Sequence, residues 1–210
     1  MRKEKRTMIH AKSGGVLTAL AAAMLLTGCV SFGPKPPAQL LTLDAARKVP
    51  DGAARVAGSG RTLIVTDPEA PKMIDTVRVP VKTAATSIAY VTKVQWADTP
   101  RHLFRRLLAE TISATTDRVV LDSAQFSGDG GQRLTGELVM FGIDEPSGSA
   151  VVTYDAVLAT AAGVAIARQR FTASAPVGGK IDATSVGVPL NSAANQVASD
   201  VAAWVAAAKD

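Results

Sequence analysis

The only cysteine of this 210-residue chain, Cys29, lies directly after an apolar run and a glycine. A cysteine sulfur can form a disulfide, bind a metal, attack a substrate or carry a lipid. An intramolecular disulfide is excluded because the chain has no second cysteine. The sequence that precedes Cys29 therefore has to explain what the sulfur does.

The first 28 residues have the pattern of a targeting signal. Five basic residues and one acidic residue precede an apolar run at 16–26. A buried core helix would show a polar face, and this run shows none. As a helix, these eleven residues would rise about 16 Å, too little to cross about 30 Å of hydrocarbon. We therefore predict that residues 1–28 are a signal peptide.

The end of this segment, Leu26-Thr27-Gly28-Cys29, resembles the lipobox of bacterial lipoproteins. The resemblance implies cleavage between Gly28 and Cys29, diacylglycerol on the Cys29 sulfur, and an acyl chain such as palmitate on the new amino group. Each buried CH₂ contributes about 0.8 kcal/mol, so several chains hold a protein firmly on a membrane. Val30, where an aspartate would mean inner-membrane retention, implies an outer-membrane anchor with the domain in the periplasm. A conventional signal peptide with a free cysteine is the alternative.

Few other residues suit catalysis. His102 is the only histidine beyond the signal, and no serine lies in a Gly-x-Ser-x-Gly turn. The Gly-Lys pair at 179–180 lacks the rest of a phosphate-binding loop. Zinc would need about four Cys or His ligands, and no calcium-loop motif occurs. We expect no enzyme, no catalytic residue, no cofactor and no metal; a periplasmic hydrolase that uses His102 is the alternative.

Charge excludes a nucleic-acid partner. Residues 29–210 carry 18 basic and 17 acidic side chains, so the excess of positive charge belongs to the signal segment. A nucleic-acid-binding domain would show a basic stripe or face. We therefore expect partners other than nucleic acid.

Apolar periodicity predicts the elements that would position these groups. Two helical stripes predict helices at 99–114 and 189–208, the first entered through Trp96-Ala-Asp-Thr-Pro100. In that junction Asp98 or Thr99 can accept from the first-turn amides, and Pro100 has no amide to satisfy. Alternating or β-branched runs predict strands at 39–43, 61–66, 76–81, 87–94, 118–121, 133–143, 150–160 and 164–173.

These elements predict the fold class and the domain organisation. We expect an α+β fold: a single α/β sandwich with a mostly antiparallel sheet of about seven strands and two amphipathic helices on one face. The last three strands, joined by short links, should form an antiparallel meander. We divide the chain into a signal peptide (1–28), a lipidated proline-rich tether (29–38) and one domain (39–210). The prolines make the tether extended, at about 3.1 Å per residue.

The order of motifs resembles the ABC-type transport auxiliary lipoproteins, a family related to paraquat-inducible protein C. The resemblance covers most of the chain after the signal. It lies in Leu63-Ile-Val65 before Pro68 and Pro71, and in the segment 73–79. It is most specific in Tyr90 followed by the Trp96–Pro100 junction and a helix.

This resemblance implies a non-enzymatic role in an MCE-type transport system. The partners would be an MCE-domain protein and, through it, an inner-membrane permease and ATPase that move lipids or other hydrophobic molecules between the membranes. The domain would dock on the MCE protein, with Trp96, Asp98 and Pro100 as candidate contacts; core packing is the other role open to Trp96. Association of several copies stays open. The alternative function is an outer-membrane adaptor that activates another envelope machine, such as a peptidoglycan synthase.

Overall fold

The computed structural model describes residues 39–54, 62–122 and 131–208. Within these ranges the strands and helices follow one another along the chain, with bounds as follows. They are β1 (Gln39–Leu41), β2 (Thr62–Val65), β3 (Pro80–Ala84), β4 (Ser87–Tyr90), β5 (Val94–Trp96), α1 (Pro100–Thr115), β6 (Val119–Asp122), β7 (Gln132–Asp144), β8 (Ser149–Ala159), β9 (Ala165–Pro176) and α2 (Gly187–Ala207).

Strand β7 organises a seven-stranded sheet. One edge of β7 pairs with β8, which pairs with β9, and both pairs are antiparallel, as the predicted meander requires. The other edge is shared: β2 runs parallel to the start of β7 and β3 runs parallel to its end. β6 pairs in parallel with β2, and β4 pairs antiparallel with β3. The sheet is therefore mixed, and the prediction of a mostly antiparallel sheet was wrong, because β2 and β3 reach β7 through long connections instead of tight turns.

Two predicted strands differ most from the observed ones. The run predicted as a strand at 87–94 is split, because Lys93 adopts a left-handed conformation with φ 64°. β4 ends before this residue, and β5 pairs in parallel with β1 as a second, two-stranded sheet. The alternating segment at 76–81 joins the sheet only from Pro80, although Val79 and Val81 are buried as the alternation predicts.

Both helices pack on one face of the seven-stranded sheet. Phe104 of α1 contacts Tyr154 of β8, with ring centroids 5.3 Å apart. Trp204 of α2 contacts Phe171 of β9, with ring centroids 5.7 Å apart. Tyr154 and Phe171 are opposite one another across the β8–β9 ladder, so their side chains lie on the same face. The predicted arrangement of the helices is confirmed.

The described chain begins at one end of the domain, which we call the proximal end. Leu41 of β1 lies opposite Trp96, whose ring packs 5.4 Å from that of Phe141 near the end of β7. A Cβ atom on Gly187, the first residue of α2, would lie 3.0 Å from Leu41. The proximal end therefore holds β1 and the starts of both helices.

The opposite end, which we call the distal end, carries the β8–β9 turn at 160–164. Ala159, directly before the turn, pairs with Arg133 near the start of β7. Arg118 joins that start to the last carbonyl groups of α2. Between Arg133 and Phe141, β7 rises about 25 Å, and α2 rises about 30 Å over its length. The two ends are therefore separated by nearly the whole length of the domain.

Candidate functional site

The predicted lipid-attachment residues lie outside the described part of the chain. Gly28 and Cys29 precede Gln39, where the description begins. The anchor and the cleavage position therefore stay predictions. Nine residues lie between Cys29 and Gln39, and the ten steps of the chain limit the reach between them to about 35 Å when fully extended.

Two of the three predicted contact residues are buried at the start of α1. Trp96 is 2% exposed and packs edge-on against Phe141. Pro100, the first residue of α1, is also buried. The indole nitrogen Nε1 of Trp96 is buried and has no hydrogen-bond acceptor among the described residues. Trp96 therefore serves the core, and a partner could reach it only after a rearrangement.

Asp98 is the member of the predicted set with an accessible side chain, 48% exposed. Its Oδ1 accepts from the backbone N–H of Thr99 at 2.7 Å and lies 3.2 Å from Nδ1 of His102. The hydrogen bond from Thr99, helped by His102, holds the pKa of Asp98 below its usual range. Asp98 therefore bonds to the amide directly before α1. The predicted capping of first-turn amides by Asp98 or Thr99 was wrong: α1 has no side-chain cap hydrogen bond, and the Thr99 hydroxyl is buried without a partner among the described residues.

His102 lies between two carboxylates. Its Nε2 is 3.0 Å from Oδ2 of Asp67, and its Nδ1 faces Asp98. The other oxygen of Asp67 accepts from Nε of Arg105 at 2.9 Å. A histidine that acts as a general base needs a free ring nitrogen to take the substrate's proton. Both nitrogens of His102 are engaged here, so the arrangement ties the segment after β2 to α1 and does not present a base.

Acidic and sulfur ligands do not gather into a metal centre in the described ranges. Among residues 39–54, 62–122 and 131–208, no group of three or more His, Cys, Asp or Glu side chains could hold a metal ion. The two aspartates at His102 instead contact its ring nitrogens, and Asp67 also accepts from Arg105.

A segment that follows β1, which we call the strap (residues 42–49), crosses from α2 to α1. Oδ1 of Asn195 accepts from the amide of Ala46 at 2.7 Å, and its Nδ2 donates to the carbonyl of Asp44 at 2.9 Å. Asn191 accepts from the amide of Asp44, and Glu110 of α1 accepts from the amide of Val49. Sequence reasoning placed the two asparagines off the apolar stripe of α2 but did not find this contact. The strap fixes the start of the domain onto both helices.

The sheet face opposite the helices carries an ion-pair cluster that sequence reasoning missed. Asp155 lies in the middle of an apolar strand, and its carboxylate accepts from both Arg170 and Arg168 of β9. These guanidinium groups, Arg170 first, hold the pKa of Asp155 below its usual range. Arg170 and Asp155 are directly opposite across the β8–β9 ladder. The sequence pattern that could have predicted this cluster is a single acid in an apolar strand, followed by two arginines two residues apart in the next strand.

Open grooves flank the helices. One groove of about 220 Å³ lies between the strap and α1, with Lys48, Arg106 and Glu110 among its lining residues. Another, of about 350 Å³, lies between α1 and β6. Small-molecule sites are usually concave and mainly apolar. The charged lining of these grooves does not match such a site.

Apolar side chains are exposed at both ends of the domain. Leu40 and Val188 are 62% and 80% exposed and lie at the proximal end. Val164 and Ile166 are 65% and 43% exposed and lie at the distal end. Val164 and Ile166 lie in the uncharged stretch 156–167, and Val188 lies in the uncharged stretch 183–199.

Solved structures with this fold support the description of the architecture. A crystal structure of a Xanthomonas campestris protein of the DUF330 family matches with a TM-score of 0.61 and 18% identity, over 81% of this chain and 92% of that one. A second crystal structure, of an uncharacterized protein, matches with a TM-score of 0.60 and 15% identity, over 81% and 97% of the two chains. No curated protein matched the chain. At these identities the likeness concerns the fold alone.

A family model covers most of the domain. The model for the ABC-type transport auxiliary lipoprotein component matches residues 42–202, from the strap to the last turns of α2. Within the described ranges, no helix combines the length and the apolar character needed to cross a bilayer. The chain belongs to the family of ABC-type transport auxiliary lipoprotein components.

Proposed function

We propose that this protein is an outer-membrane-anchored periplasmic lipoprotein that serves an MCE-type ABC transport system by docking on its MCE-domain protein. The observation that carries the proposal is the family match over residues 42–202. The system would move lipids or other hydrophobic molecules between the inner and outer membranes. Its permease and ATPase would supply the energy, because this chain has no phosphate-binding loop.

The proposed anchor is Cys29. Its position after an uncharged apolar run and Gly28 suits lipid attachment, and the absence of aspartate at position 30 suits an outer-membrane location. Two or three acyl chains hold a protein stably where a single chain holds it only marginally. Residues 29–38 would then link the lipid to the domain at Gln39.

We propose that the domain acts by binding rather than by catalysis. The His102 geometry supports this, since both ring nitrogens face carboxylates at 3.0 and 3.2 Å. The described grooves have charged walls. Of the candidate contacts, Asp98 is the one whose side chain a partner could reach without unfolding the start of α1, because Trp96 and Pro100 are buried.

Purification of the full lipidated chain from solubilised envelopes tests the function. We expect the MCE protein, the permease and the ATPase to be recovered with it. Recovery of a penicillin-binding protein in their place would support the adaptor alternative. A measured hydrolytic activity that is lost in a folded His102→Ala variant would refute a purely binding role.

The anchor has a separate test. Cys29→Ala should leave the precursor without lipid, so the protein should no longer fractionate with the outer membrane. Mass spectrometry of the mature N-terminus should find acyl chains on the wild-type cysteine. Normal outer-membrane fractionation of the alanine variant would contradict the proposed anchor.

A further inference from the structure

The outer edge of β9 is a long row of backbone groups with which no described strand pairs. β9 has 12 residues, and among the described strands it pairs only with β8. The two other edge strands of this sheet, β4 and β6, have 4 residues each. Short edge strands are one way in which proteins prevent association of sheets edge to edge. β9 lacks this protection.

The register with β8 shows which backbone groups of β9 point outward. Val177 donates its amide to the carbonyl of Gly148 at 2.8 Å, and these residues lie one step beyond the Ser149–Pro176 pair of the ladder. Hydrogen-bonded and non-hydrogen-bonded pairs alternate in an antiparallel ladder, so the odd-numbered residues in 167–175 bond to β8. The N–H and C=O groups that point to the outer edge are those of Arg168, Arg170, Thr172 and Ser174.

Prolines and bulges, which also protect edge strands, lie at the ends of β9. The register shift between Leu158 and Ala159 falls at its start, and its only proline is its last residue, Pro176. Between these points the ladder with β8 is uninterrupted over 167–175. The middle of β9 is therefore regular enough to accept another strand.

The charges on the face opposite the helices are balanced. Arg168 and Arg170 donate to Asp155 of β8, so their guanidinium groups reach across the sheet instead of over the outer edge. Glu137 of β7 lies directly opposite Asp155. Two acids therefore match two arginines here. An added strand needs no acidic side chains to neutralise this edge, and a second copy of the chain would bring no excess of like charge.

A second copy of β9 fits this edge in one antiparallel register. With Arg170 opposite Thr172 of the second copy, Arg168 lies opposite Ser174, and all the outward residues of both copies are paired. A shift by two residues in one direction puts Arg170 opposite Arg170, where like charges oppose pairing. A shift in the other direction puts Arg168 opposite Pro176, which has no N–H to donate. The edge is therefore complementary to itself in a single register.

The helix side of the same edge carries a partly exposed aromatic residue. In the register above, Phe171 would lie on the two-fold axis between the copies. Trp204 of α2 packs against Phe171, with ring centroids 5.7 Å apart, and is only partly buried within one chain. Because aromatic residues are enriched at protein–protein interfaces, this position of Trp204 suits an interface beside the axis.

We propose that two copies of this chain associate by antiparallel pairing of their β9 strands, which joins the two seven-stranded sheets into one. The row of outward N–H and C=O groups requires an extended strand as its occupant. The balanced charge and the single complementary register identify that strand as β9 of a second copy. This inference does not depend on the proposed function.

The mass of the full lipidated chain in detergent tests the association. Sedimentation equilibrium in a density-matched detergent should give the protein mass of a dimer for the wild type. Ser174→Lys should shift it to the mass of a monomer at the same concentration, because it places a lysine on the edge and opposite Arg168 of the second copy. Ser192→Lys adds the same charge at an exposed position of α2 beside the strap and should leave the dimer intact.

Cysteine cross-linking in the membrane tests the register. In the proposed pairing, Gln169 and Ala173 of the second copy form a non-hydrogen-bonded pair, with Cα atoms about 4.5 Å apart, within disulfide range. Within one chain the two residues are about 13 Å apart along the strand, too far for a disulfide. Gln169→Cys with Ala173→Cys should therefore form a covalent dimer on oxidation. Ala167→Cys with Ala173→Cys, which face one another only in the Arg170–Arg170 register, should not, and neither should the wild type with Cys29 alone.

The other outcomes overturn the inference. They are a monomeric wild type, an assembly that Ser174→Lys leaves intact, or equal cross-linking of the two cysteine pairs. If the circular dichroism spectrum shows that Ser174→Lys is not folded, the cysteine pairs alone decide. A monomeric wild type that binds the MCE protein and loses this binding in folded Ser174→Lys would assign the edge to a strand of that protein. Recovery of the MCE protein with the full chain tests the proposed function separately.

Discussion

The two ends of the domain expose apolar side chains alike but are held by different polar contacts. At the proximal end, Asp98 accepts from an amide at the start of α1, and the strap is bonded to Asn195 and Glu110. At the distal end, the single guanidinium of Arg118 joins the start of β7 to the last carbonyls of α2. Several contacts between the strap and the helices therefore hold the proximal end, whereas one side chain supplies several contacts at the distal end.

The two tryptophans also differ in burial between the two ends. Trp96, near the proximal end, is buried among core side chains, while Trp204, toward the distal end, is only partly buried against Phe171. Large aromatic residues contribute most when fully buried. Trp96 should therefore contribute more to the free energy of unfolding than Trp204.

Trp96→Ala is expected to lower the free energy of unfolding by about 3–5 kcal/mol, because it opens a cavity beside Phe141. Trp204→Ala should lower it by about half as much, since part of that side chain is already in solvent. Chemical denaturation of both variants measures the difference. Equal losses would remove the contrast, and a Trp96 variant of normal stability that fails to bind its partner would make Trp96 a contact residue.

Arg118→Ala is expected to lower the free energy of unfolding by about 2 kcal/mol. The guanidinium donates to Gln132 at 2.7 Å and to the carbonyls of Val205 and Ala208 at 3.4 Å, and these acceptors would lose a charged donor. Arg118→Lys keeps the positive charge but not the planar guanidinium. Its free energy of unfolding should therefore lie between those of the wild type and of Arg118→Ala. Denaturation curves for the three proteins decide this; a fully stable alanine variant would mean that the distal end does not depend on this contact.

Asn195→Ala should release the strap and lower the free energy of unfolding by about 1 kcal/mol. The variant loses the bonds to Ala46 and Asp44, so the Ala46 amide should exchange its hydrogen faster. Gln196→Ala, next to it on α2, is the matched control, because its side chain bonds only to Asp200 on the exposed surface in the contacts described. Unchanged exchange at Ala46 would show that the strap is held by other contacts.

The smallest expected effect is an acid sensitivity of the proximal end. Because the pKa of Asp98 is lowered in the folded protein, its charged form stabilises the fold above the unfolded-state pKa of about 4. That contribution is lost as the pH falls from there through the folded-state pKa. Asp98→Asn should therefore flatten the pH dependence of stability below about pH 4, as measured by denaturation at several pH values. An identical dependence in both proteins would contradict this role.

Local patterns predicted the elements that depend on near neighbours. The apolar stripes predicted helices at 99–114 and 189–208, and the observed helices differ by one or two residues at each end. The three-strand meander and its turn followed from β-branched runs separated by short links. Lys93 could not be predicted, because a lysine gives no local signal for a left-handed residue that ends a strand.

By itself, the sequence determined the kinds of elements, their order, the balanced charge of the domain and the isolated Cys29, since all of these depend on composition and periodicity along the chain. The tertiary structure alone decided that β2 and β3 join β7 in parallel and that His102 meets Asp67 as well as Asp98. It also placed the apolar turn at the end opposite to Gln39. The physical reason is that strand pairing and side-chain clusters join residues far apart in sequence, and local periodicity carries no information about which distant partners will meet.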